Sequence, residues 1–311
     1  MKTVSHVGSD SALFLHGLAF LAVLIWGATF ISTKYLLDAL TPLEILLYRS
    51  IIAYCALLAL RPGIRWPTSL RAEFTYLFAG LFGITLYFIF ENNALKWTYA
   101  SNASLIVCAA PLLSALLAPA FSRQDRLSAR AWLGCLLGLA GVGLVVGNGA
   151  HVLMLDPLGD MLAFLSALAW AMFPIVLNKI DQKVDKIRQM RSVFFYGLLT
   201  TVSYMLVSDE QLYNPLVFQP LVATNLMFLG LVASALCYVI WSHAVARLGV
   251  TSTMIYMYFV PVVTMLLGAL LLHERITGLM IAGAALIVGG IAVYNARQPA
   301  QPELASQRRR A

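Results

Sequence analysis

Three ionisable side chains, Lys34, Arg49 and Glu91, stand inside long apolar runs of this 311-residue chain. Where such runs cross a bilayer, a charge at mid-depth costs roughly 2.5–3.5 kcal/mol on insertion scales, so each needs a reason. A guanidinium stays charged and requires acceptors, so Arg49 is expected to lock helices together or to gate, more than to touch a solute. Lys34 can snorkel and Glu91 can simply end a helix; alternatively the three, with Glu44, form one network towards the same end of their helices. Aromatic residues carry the second possible chemistry. Trp26 and Trp170 fall near the centres of their runs, whereas belt tryptophans sit at the ends. Tyr87, Phe88 and Glu91 correspond to Cys237, Tyr238 and Trp241 at a spacing of 150. Tyr87 and Glu91 are four apart and share a helical face, with Asn92 and Asn93 beside them and Asn102 opening the next run. Together these side chains could hold an apolar or aromatic group by stacking, and an ammonium by cation–π contact. Packing in the core or against lipid accounts equally well for any one of them taken singly.

Other chemistries lack their residues. There is no GxxxxGK[ST] loop for ATP, no HExxH among the five His, and no serine nucleophile elbow. An enzyme survives only as an unrecognised membrane enzyme. Cys55, Cys108, Cys135 and Cys237 lie in apolar runs without CxxC spacing and read as small core residues. Neither metal nor cofactor is expected. The net charge of +7 is spread over short loops without interleaved aromatics, which argues against nucleic acid as a partner.

The elements that must position these residues follow from composition. With 60% hydrophobic and 11% charged residues, the chain has too little charge to cover a soluble globule, which carries roughly 25%. Apolar runs at 13–37, 42–60, 73–95, 100–121, 130–148, 158–180, 191–208, 221–244, 251–272 and 277–295 predict ten transmembrane helices and an all-α integral membrane protein. The first run is too long for a cleavable signal. Lys2, Arg61, Arg65, Arg71, Arg123, Arg126, Arg130, Lys179, Lys183, Lys186, Arg188, Arg191, Arg275, Arg297 and the Arg308–Arg310 tail are assigned to one side. Those seventeen face two, Lys96 and Arg247, which puts both termini in the cytoplasm.

The chain also repeats itself. Leu18–Trp26 (LAFLAVLIW) matches Leu162–Trp170 (LAFLSALAW) at an offset of 144. Gly80 then meets Gly230, Ala94 meets Ala244, Ser101 meets Thr251 and Pro111 meets Pro261 at 150, and Gly134 and Gly141 meet Gly283 and Gly290 at 149. Two five-helix units, 13–148 and 158–295, are expected between cytoplasmic tails 1–12 and 296–311. Five being odd, the second unit is inverted relative to the first. Exchange of conformations between inverted copies would open a central cavity alternately to each side, which suits a carrier of small molecules better than a receptor, channel or enzyme. Pro111, Pro174 and Pro261 lie inside helices and are candidate hinges or static kinks. The glycine stripes Gly134, Gly138, Gly141 and Gly283, Gly290 signal close helix packing, within a monomer or in a homodimer.

These residues also resemble a known family. Trp26-Gly27-Ala28-Thr29-Phe30, Arg49, and the stretch from Ala244 through Arg247, Thr251, Pro261 and Glu274 into the glycine-rich last helix look like the EamA branch of the drug/metabolite transporter superfamily, over residues 13–295. The crowding of aromatics is most like its YddG-type exporters of aromatic and other amino acids. The resemblance implies a ten-helix secondary transporter of bacterial inner membranes, exporting amino acids or other metabolites or drugs, downhill or with protons. Gln124-Asp125 stands in the first half where Glu274-Arg275 stands in the second, so the family's acidic residue, expected at a cytoplasmic turn, is carried over for Glu274 only.

Overall fold

The computed structural model describes residues 9–63, 69–121, 129–151, 156–180, 184–208, 212–248 and 255–295, and shows no β-strand among them. Residues 1–8 and 296–311, the Gln124-Asp125 turn, Thr251 and the basic residues Arg65, Arg123, Arg126 and Lys183 lie outside the described residues. In chain order the helices are α1 (Ser9–Leu36), α2 (Pro42–Leu60), α3 (Leu70–Trp97), α4 (Ala100–Val107 and Ala110–Phe121), α5 (Ala129–His151), α6 (Pro157–Leu177), α7 (Lys186–Val207), α8 (Pro220–Leu248), α9 (Phe259–Leu271) and α10 (Gly278–Asn295). Among the described residues six stretches are long and apolar enough to cross a membrane: Leu13–Leu36, Pro42–Leu60, Leu70–Trp97, Pro157–Leu177, Lys186–Val207 and Pro220–Ala244. Shorter apolar helices cover Ala100–Ser114, Trp132–Asn148, Tyr256–Leu271 and Gly278–Gly290.

Local sequence sets several starts. Thr41 and Glu44 form a capping box at α2, with Pro42 in the first turn where its missing N–H costs nothing. Asp156 caps α6 by accepting from the Leu158 amide, with Pro157 in the first turn. In α3 and α8 the helix widens into π-helical turns, at Leu81–Leu86 and at Phe228–Leu236.

Those two π segments occupy matching places in the two halves, and the packing matches too. α1 lies against α8 and α9, while its counterpart α6 lies against α3 and α4. α2 packs on the π segment of α8, and α7 on that of α3. Gly80 abuts the α7 backbone at Gly197 and Val193, and Gly230 abuts Ile52 and the Arg49 carbonyl of α2. α5 and α10 pack on one another through glycine: a Cβ on Gly290 would fall 2.5 Å from the Gly134 carbonyl oxygen. The glycine stripes are therefore used within one chain.

Direction follows from contacts at the helix ends. The end of α1 reaches the start of α6, since Lys34 donates to the Thr98 carbonyl and Thr98 donates to Asp160. The counterparts α1 and α6 thus run antiparallel. α1 and α9 run parallel: His16 meets Tyr256 at their starts, and Tyr35 donates to the Leu271 carbonyl at their ends. This corrects one assignment. The α9–α10 turn, with Glu274 and Arg275, lies at the Lys34 end, and α8 carries Arg247 away from that end.

Candidate functional site

Where the halves meet, a cavity of about 40 Å³ is lined by Trp26, Thr29 and Phe30 of α1, Arg49 of α2, Tyr87 and Phe88 of α3, Val107 of α4, Trp170 of α6, Tyr238 of α8, and Met257 and Val260 at the start of α9. That volume admits a few water molecules. It is far below the roughly 300 Å³ or more of ordinary ligand pockets, so a solute larger than water enters only if the walls part.

Aromatic rings form most of the wall. The Trp26 and Trp170 centroids are 6.3 Å apart with planes at 81°, an edge-to-face pair across the junction. Tyr238 stands 5.9 Å from both, and Tyr87 lies 4.8 Å from Trp170. Both indoles are buried, Trp26 at 9% and Trp170 at 8% exposure, so neither faces outward. The π segments hold the rings in place. A π turn shifts backbone carbonyls out of the ordinary helical pattern, freeing acceptors. The Trp26 indole N–H donates to the Ala233 carbonyl at 2.9 Å, and the Tyr238 hydroxyl to the Gly83 carbonyl at 3.5 Å. Gly83 and Ala233 are 150 residues apart, the repeat spacing.

Arg49 closes one side of the cavity. Its Nε and Nη2 donate to the Ser234 hydroxyl at 3.4 and 3.1 Å, and its guanidinium lies 3.8 Å from the Phe88 ring centre. It therefore links α2 to the α8 π segment.

The other charges do not join it in one network. Lys34 pairs with Glu274 at 3.9 Å and donates to the Thr98 carbonyl. Glu274 caps the start of α4, accepting from the Ala100 and Ser101 amides and the Ser101 hydroxyl at 2.6, 3.0 and 2.6 Å. An anion suits that helix terminus, where backbone amides lack partners. Glu44 is occupied by its capping box and by Asn214. Glu91 is buried beside the Tyr87 hydroxyl and interacts with Arg49 through space, without lining the cavity. Asn102 is drawn away to Asp160 and Thr98, and Trp241 packs behind Trp26 with centroids 5.0 Å apart.

Of the prolines, Pro174 stays within α6, whereas the other two stand beside breaks. α4 is interrupted at Cys108 and Ala109, just before Pro111, and α9 is entered through a 3₁₀ turn at Ile255–Tyr258, just before Pro261. Neither proline has an N–H, so the carbonyls four residues earlier, Val107 and Met257, lose their α-helical donor. Both residues line the cavity, and Cys108 donates its thiol to the Met257 carbonyl at 3.5 Å. Reading the sequence missed Val107, Met257, Thr29, Phe30, Val260 and Ser234. The first two were accessible as the positions four before prolines that match across the repeat.

The sequence model of the EamA-like transporter family matches this chain twice, over residues 13–147 and 157–296. The chain belongs to the EamA-like transporter family. Its membrane nature and transporter class follow from that membership together with the apolar helices. An uncharacterized transporter of Archaeoglobus fulgidus is 28% identical over 91% of this chain and 98% of its own. A probable amino-acid metabolite efflux pump of Escherichia coli is 28% identical over 88% of this chain and 92% of its own. A probable terminal-alkyne amino-acid exporter of Streptantibioticus cattleyicolor is 26% identical over 89% and 92%. Among solved structures, one crystal structure shares the fold with a TM-score of 0.62 at 22% identity, over 97% of this chain and 99% of that one.

Proposed function

We propose that this EamA-like transporter exports amino acids, aromatic ones included, by alternating access through the cavity between its repeats. On this reading all ten helices cross a bacterial inner membrane as inverted units 13–148 and 158–295, with both termini in the cytoplasm and the Lys34 end outside. The single observation that carries the reading is the aromatic cavity built from both halves, with Trp26 opposite Trp170. Trp26, Tyr87, Phe88, Trp170 and Tyr238 are the proposed contacts, stacking on the solute side chain as the cavity widens. Two relatives whose names include amino-acid efflux or export, similar over most of the chain, support the substrate class.

The test is selectivity. Purified protein in liposomes should release labelled phenylalanine, tyrosine and tryptophan faster than protein-free vesicles, saturably, and faster than sugars or nucleosides of similar size. Release of the sugars and nucleosides with no preference for amino acids would reject the substrate assignment.

A further inference from the structure

Arg49 does more than join helices. It is 2% exposed, and its Nε and Nη2 share one acceptor, the Ser234 hydroxyl, while Nη1 has no hydrogen-bond partner. Among the described residues no carboxylate lies within 4 Å of it; Glu91 acts on it only through space. A single hydroxyl dipole and one ring face leave a buried guanidinium far from neutralised, an expensive arrangement if locking two helices were its whole purpose. The same contacts fix its plane, since Ser234 holds one edge and Phe88 one face, and the residue lines the cavity.

We infer that Arg49 anchors the carboxylate of the carried solute, a role that rests on the amino-acid reading above. A planar fork with free N–H groups matches a carboxylate in two-point hydrogen bonding, which a lysine ammonium does not reproduce. The solute's acidic end lies at Arg49 and its side chain among Trp26, Trp170 and Tyr238, so one cavity reads both ends of the molecule. The contact forms when the walls part.

Binding to the purified protein, followed as ligand-dependent thermal stabilisation, tests this with four probes of one side chain: phenylalanine, 3-phenylpropionate, phenylalaninamide and phenethylamine. Phenylalanine and phenylpropionate should stabilise the wild type, and the two probes without a carboxylate should not. Arg49→Gln should weaken both carboxylates roughly ten- to hundredfold, and Arg49→Lys should restore only part of that. If Arg49→Gln does not fold, Arg49→Lys and the wild-type series decide alone. Equal binding of phenylalanine and phenethylamine to the wild type, or unchanged phenylalanine affinity in the variants, would overturn the anchor. Phenylpropionate binding through Arg49 with no amino acid bound would keep the anchor and reject the amino-acid reading. If no probe binds, both fall.

Discussion

Trp170 meets three other rings of the cavity wall: Tyr87 at 4.8 Å, Tyr238 at 5.9 Å and Trp26 at 6.3 Å. On the proposed reading its removal takes away stacking on a solute while the surrounding rings remain. Trp170→Ala should therefore lower transport of aromatic amino acids by about tenfold or less at equal expression, since one aromatic pair is worth about 0.5–1.5 kcal/mol. Loss of insertion would mean a structural role instead, and normal flux in both Trp26→Ala and Trp170→Ala would remove the aromatic site. Trp26→Phe keeps a ring but loses the hydrogen bond to Ala233, and should lower the unfolding midpoint measured without solute. The tryptophan pair was legible because two mid-run indoles matched across a repeat. The partner of Arg49 was not, because Ser234 lies 185 residues away on a π turn that no local pattern announces.

At the scale of helices, the glycine contacts and the charged cap make separate claims. Gly290 on α10 faces the Gly134 carbonyl and Gly138 amide of α5 so closely that a side chain would collide with backbone. Gly290→Val should lower thermal stability and leave the apparent KM for amino acids unchanged in the folded fraction. A shift in KM with no loss of stability would place this seam in the transport path. Glu274 holds the start of α4 from 174 residues away. Glu274→Ala should free that terminus, so that a cysteine at Thr29, in a background lacking the four native cysteines, reacts faster with an impermeant thiol reagent added at the Lys34 end. An unchanged rate would show that the cap does not help close that end. Helix positions were readable from hydropathy and caps, and the breaks in α4 and α9 from their prolines. The Glu274 cap was hidden because its turn was placed at the opposite end of the bundle. Exchanging the two turns that flank α9 reverses that helix and carries Glu274 across the whole bundle.

Across the whole molecule, the halves are tied at both ends around the small cavity. At the Lys34 end Glu274 and Asp160 of the second half hold α4 and the turn before it. At the other end Arg191 donates to the Arg61 carbonyl, and Tyr196 donates to Glu73. On the alternating-access reading proposed above, neither set of ties persists while its own end is open, so the two sets break in turn as a solute passes. That alternation separates a carrier from a channel, and exchange kinetics read it directly. Vesicles containing the protein and loaded with labelled phenylalanine should release it faster when unlabelled phenylalanine is present outside, with a rate that saturates with the internal concentration. Release that rises linearly with concentration and ignores the outside solute would contradict the account.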